Sequence, residues 1–92
     1  MTVKIRFFAR FRELLGTDIV TDVAAGTMFT HLILTIAQKN SAGYAAIFDE
    51  NGTFHEFVIL MQNGRRIEIA DAAKTQVADG DEIAVFPPVA GG

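Results

Sequence analysis

Gly91 and Gly92 end the stretch PPVAGG, residues 87–92, and of all the residues here they are best suited to present a reacting group. A glycine pair has no Cβ and the widest backbone freedom. It therefore packs poorly and suits a carboxylate that must pass through a narrow channel into another protein. Extended, Pro87 to Gly92 spans at most about 20 Å, and the two prolines stiffen its base toward polyproline II. A carboxylate is a weak electrophile, so sulfur or an amine can attack it only after nucleotide-dependent activation. Taken alone, a diglycine end also fits a frayed terminus.

The rest of the chain has little to build a catalyst from. Ser41 is the only serine, His31 and His55 are the only histidines, and cysteine is absent, which leaves a nucleophile without its base. Both histidines read as surface or capping residues rather than ligands. Neither GxxxxGK nor GxGxxG occurs. Arg65-Arg66 reads as a solvated pair at a hairpin tip. Asp49-Glu50 and Asp79, Asp81 and Glu82 read as turn and strand-edge acids, not as a metal site. The expected protein is not an enzyme and binds neither metal nor cofactor of its own.

Composition agrees with a small packed domain. Half of the 92 residues are hydrophobic and eight are Phe, and without cysteines stability must come from packing. No apolar run reaches the length of a membrane span, and MTVKIRFF lacks a signal-peptide core. The expectation is a cytoplasmic protein that uses no membrane. The net charge of −3 is spread over mixed signs, and the five arginines and three lysines form no basic run, so nucleic acid is not an expected partner.

The tail needs a body to hold it. VKIRF alternates Val3, Ile5 and Phe7 with Lys4 and Arg6, as a half-buried strand does. Gly16 allows a turn, and residues 18–23, DIVTDV, form the expected hairpin partner. Thr27 is the expected N-cap of a helix whose Phe29, Leu32, Ile33, Ile36 and Ala37 make one apolar stripe. Residues 41–55 predict a short helix around Ala45 and a turn at Asn51-Gly52. EFVILMQ and RRIEI flank Asn63-Gly64, the pair that a type I′ turn favours. EIAVF is a final strand, which Pro87 and Pro88 end. First and last strands separated by a helical crossover can pair in parallel at the centre of a mixed sheet. The expected class is α+β, a β-grasp of about five strands on one main helix, with a domain at 1–86 and a flexible tail at 87–92.

A two-residue loop at Asn63-Gly64 sets Gln62 against Arg65, Leu60 against Ile67 and Val58 against Ile69, with the last two pairs toward the core. The opposite side then carries Phe57, Ile59 and Met61 beside Arg66 and Glu68. By the same alternation Phe8 and Phe86 lie on the outer side of the first and last strands, at the end where the tail leaves. Five large apolar side chains on one free face point to a partner site, with Arg66 at its rim.

GDEIAVFPPVAGG, residues 80–92, resembles the C-terminal signature of the ubiquitin-like sulfur carriers, among them the molybdopterin synthase small subunit, the thiamin-pathway carrier and the small archaeal ubiquitin-like modifiers. VKIRFFARFRELLG, residues 3–16, resembles the first strand and turn of that family, and QNGRRI its hairpin. The resemblance implies that an E1-like adenylating enzyme uses ATP to activate Gly92, which becomes a thiocarboxylate or is joined to a lysine. Ala90 and Gly91 complete the delivering tail. The implied partners are that enzyme and either the molybdopterin synthase large subunit or target-protein lysines. The length of residues 41–55 favours the longer, archaeal-type forms. Three readings follow: a sulfur carrier donating to molybdopterin synthesis, a protein modifier conjugated through Gly92, and a non-covalent β-grasp interaction module.

Overall fold

The computed structural model describes residues 1–88. Within them the elements are β1 (Thr2–Phe7), α1 (Arg10–Leu15), β2 (Ile19–Asp22), α2 (Phe29–Ala37), α3 (Ser41–Ile47), β3 (Ile59–Gln62), β4 (Arg65–Ile67), α4 (Ile69–Ala72) and β5 (Glu82–Phe86). The strands form one mixed sheet in the order β2-β1-β5-β3-β4. β1 and β5 pair in parallel, and every other pairing is antiparallel.

Period-two alternation divides the sheet into two faces. Val3, Ile5, Phe7, Leu60, Ile83 and Val85 are buried on one of them. They meet the α2 stripe of Phe29, Leu32, Ile33, Ile36 and Ala37, all buried in the same cluster. The expected stripe is therefore the core face of α2. Its cap is not the expected Thr27: the extended residue is Met28, at φ −84° and ψ 149°. The Thr27 hydroxyl turns back to donate to Ala24 O at 2.7 Å, closing the preceding turn.

The β1–β2 connection differs from expectation as well. Residues 10–15 form α1, so a helix, not a tight turn at Gly16, joins the two strands. Phe11 is its buried anchor. Ala9 enters α1 at φ 53° and ψ −127°, a conformation that strains any residue with a Cβ by about 1–3 kcal/mol.

Residues 41–55 contain the expected short helix, α3, with Asn40 as its cap. Asn40 Oδ1 accepts from Gly43 N–H and Asn40 Nδ2 donates to Leu14 O, both at 2.9 Å. One side chain thus ties the start of α3 to the end of α1. Phe48 and Phe54 are buried and stacked, 4.5 Å between centroids, which carries this segment into the core.

The hairpin has the expected register over Leu60–Ile67 and Gln62–Arg65. Asn63 and Gly64 both have positive φ, 51° and 80°, as a type I′ turn requires. The expected Val58–Ile69 pair does not form. The chain leaves the sheet at Glu68 and Ile69 begins α4, whose Ala72 is buried in the core.

Candidate functional site

The end of β5 is held from two sides. Phe7 pairs with Val85 on β1, and Phe8 N–H donates to Val85 O at 3.2 Å. On the other side Ile59 pairs with Phe86. Pro87 has no N–H to continue the ladder, so pairing stops at Phe86. Residues 89–92 lie outside the described residues, and so does the expected flexibility of a tail at 87–92 over that stretch, including Ala90, Gly91 and Gly92.

The open face of the sheet reads in rows. Arg6, Ala84, Met61 and Arg66 follow one another across β1, β5, β3 and β4. The next row toward the tail holds Phe86 and Ile59, and Phe8 stacks on Phe86 with centroids 4.2 Å apart and planes at 10°. The structure thus brings Phe8, Ile59, Met61 and Phe86 together, with Arg66 beside Met61. It corrects their exposure. All four apolar side chains are half-buried, because neighbours on adjacent strands cover one another. Phe57 is the exception, at 48% exposed. It precedes β3, so strand alternation does not place it on this face, and its ring stacks on His55 at 5.1 Å.

The opposite end of β5 is fixed by Asp81, a residue that read as a turn acid and is in fact the buried polar residue of the described chain. One carboxylate oxygen accepts from Ala78 N–H at 2.7 Å and Gln62 Nε2 at 2.9 Å, and the other accepts from Asn63 Nδ2 at 2.9 Å. Asn63 Oδ1 in turn accepts from Glu82 N–H at 2.8 Å. Burial pushes the Asp81 carboxyl up, but the bonds from Asn63, Ala78 and Gln62 outweigh it and hold the group below its ordinary value. The hairpin tip is therefore bonded to the first residue of β5, which sets the register of the strand that leads to the tail. The signal was GDEI together with Asn-Gly, read separately as two turns.

Among the described residues no group of histidine and acidic side chains could hold a metal ion. His55 points a ring nitrogen at Ala45 O, 2.9 Å away, and His31 is exposed on α2. A surface hollow of about 470 Å³ lies at the start of β5 and is bordered by Lys4 and Glu82, paired at 3.8 Å. It is at the far end of the sheet from Phe86. Among the described residues no helix is long and apolar enough to cross a membrane.

The ThiS family model matches residues 5–92. Small archaeal modifier protein 3 of Haloferax volcanii is 34% identical over the full length of both chains. The molybdopterin synthase sulfur carrier subunit of Aedes aegypti is 37% identical over 98% of this chain and 88% of that one. Among solved structures, SAMP1 of Haloferax volcanii superposes with a TM-score of 0.85 at 25% identity, covering all of both chains. With the sheet order above, this establishes the ubiquitin-like β-grasp fold.

Proposed function

This chain belongs to the ThiS family, and on that premise we propose that it is a sulfur carrier whose reacting group is the carboxyl of Gly92. The observation that carries the reading is the strand end. β5 is pinned at Asp81 and stops at Phe86, while the family match continues through Gly92. A rigid strand followed by prolines and a side-chain-free end is what delivery into a partner's active site requires.

The chemistry belongs to the partner, an E1-like adenylating enzyme. The Gly92 carboxylate oxygen attacks the α-phosphorus of ATP, pyrophosphate leaves, and an acyl adenylate forms. The outer sulfur of a donor persulfide then attacks the carbonyl carbon and AMP leaves, giving an acyl disulfide; a thiol attacks the donor-side sulfur of its S–S bond, which leaves the thiocarboxylate on Gly92 and a disulfide on the donor. With no cysteine in the sequence, carried sulfur has no thiol of this chain to reside on. A relative named as the sulfur carrier subunit of molybdopterin synthase supports molybdopterin synthesis as the destination, with the large subunit of that synthase as partner. The open face around Phe8, Met61 and Phe86 is the surface we assign to these partners.

A second reading is favoured by the full-length similarity to a small archaeal modifier protein. Here a lysine amine of a target protein attacks the same adenylate, AMP leaves, and an isopeptide bond forms. Intact mass of the chain isolated from its native cell separates the two. A thiocarboxylate adds the mass of sulfur less that of oxygen, a modifier appears in larger conjugates, and an unaltered carboxylate with no conjugates contradicts both.

A further inference from the structure

Asn-Gly occurs twice in the chain, at Asn51-Gly52 and Asn63-Gly64, and the pair carries a reaction of its own. The backbone nitrogen of the glycine, deprotonated by hydroxide, can attack the carboxamide carbon of the asparagine. The glycine has no Cβ to hinder that approach. As the new C–N bond closes a succinimide ring, the bond from Cγ to Nδ2 breaks and ammonia leaves. Water then opens the ring at either carbonyl, giving aspartate or isoaspartate, and no other reactant is needed.

Both pairs sit in turns, but they are held in opposite ways. At Asn63 the side chain is fixed: Nδ2 donates to Asp81 Oδ1 at 2.9 Å, and Oδ1 accepts from Glu82 N–H at 2.8 Å. To swing toward Gly64 N the carboxamide must give up both bonds. At Asn51 the backbone is held instead. Asp49 Oδ1 accepts from Asn51 N–H at 2.8 Å and Thr53 N–H at 3.1 Å, and Asp49 O accepts from Gly52 N–H at 3.1 Å. None of these bonds uses the Asn51 carboxamide, and Asn51 is exposed.

The Gly52 bond does oppose the reaction, since it occupies the attacking nitrogen. It is a single neutral bond in an exposed turn, and the need to open it slows attack by roughly two- to tenfold. A bond to a carboxylate slows it by roughly ten- to a hundredfold, and Asp81 is buried. Asn63 must lose the Glu82 bond as well.

We propose that Asn51 is a site of spontaneous modification in the folded protein, converted to aspartate or isoaspartate through attack by Gly52 N, and that Asp81 and the Glu82 N–H hold Asn63 unreactive. The clamp protects the strand that leads to the tail. Conversion of Asn63 would put a carboxylate oxygen where the amide donor stands, 2.9 Å from Asp81 Oδ1, and like charges would part the hairpin tip from β5. At Asn51 the new charge joins Asp49 and Glu50 on an exposed turn, where solvent screens it. Isoaspartate there also lengthens the backbone between the bridge partners Phe48 and Phe54. The proposal does not depend on the fate of Gly92.

The test is peptide mapping by mass spectrometry of the whole chain, sampled during incubation in mildly alkaline buffer with and without denaturing urea. Each conversion adds the mass of a hydroxyl less that of an amino group, and chromatography separates isoaspartate from aspartate. In the folded chain Asn51 should convert about tenfold or more faster than Asn63, and in urea the difference should vanish. Asp81→Ala should raise the Asn63 rate in the folded chain by about tenfold or more and leave the Asn51 rate unchanged, whereas general loosening would raise both. If that variant unfolds, the comparison of the wild-type chain with and without urea decides alone. Equal rates in the folded chain, faster conversion of Asn63, or an Asn51 that converts only in urea overturns the proposal. So does an Asn63 rate untouched by Asp81→Ala in a chain that stays folded.

Discussion

Phe8 and Phe86 stack face to face, 4.2 Å between ring centroids, although 77 positions separate them in the chain. Parallel pairing of β1 and β5 brings them to one end of the sheet, the end where the chain departs toward its diglycine. A partner that grips this stack also holds the base of the tail.

Phe8→Asp or Ile59→Asp should therefore weaken binding to the adenylating enzyme by about tenfold or more and leave the domain folded, since both side chains are half-buried on the open face. Leu60→Ala, one residue along and fully buried, should instead cost about 2–5 kcal/mol of stability. Calorimetric titration and urea unfolding on the same three variants check this. Equal destabilisation of all three would place Ile59 in the core.

Asp81→Ala should destabilise by about 1–3 kcal/mol, because Ala78 N–H and the Gln62 and Asn63 amides lose their acceptor. The pH dependence follows from the direction of its shift. A carboxyl lowered in the fold from its ordinary 3.8 contributes stability that is fully present above that value and is lost as pH falls through the lower, folded value. Urea midpoints from pH 6 downward to about pH 2 should fall less steeply for Asp81→Asn than for the wild type.

Gly43 meets Leu15 where α3 crosses α1. A Cβ there would stand 2.6 Å from Leu15 Cδ2 and 2.7 Å from Cγ. Gly43→Ala should cost about 1–2 kcal/mol net, overpacking exceeding the gain in helix propensity. In a Leu15→Ala background the same change should become neutral or stabilising. Additive losses in the double variant would show that the two residues do not share this contact.

The sequence was most legible where period and turn chemistry agree. The α2 stripe, the alternation of β1 and β5 and the Asn63-Gly64 turn each state their structure locally, and the parallel centre of the sheet follows from them. α1 was hidden because RFRELL is too short to show a period. The loss of the Val58–Ile69 pair was hidden because Ile69 suits a strand by propensity, while packing of Ala72 draws the chain into α4. Thr27 yielded the cap to Met28 because its hydroxyl is used one turn earlier. Asp81 escaped notice because its role lies in partners distant in sequence. Four of the five residues read as an apolar face meet as expected, although half-buried, and Phe57 follows its own turn onto His55.

The central claim is that the carboxyl of Gly92 is the reacting group, and ATP–pyrophosphate exchange with the cognate adenylating enzyme tests it most directly. Deleting Gly92 should reduce exchange to background with an unchanged melting temperature. Gly92→Ala should be impaired, since its methyl crowds the carbon that accepts a nucleophile. Val89→Ala should be milder. Exchange by the Gly92-deleted chain at the wild-type rate would contradict the account and leave a non-covalent interaction module in its place.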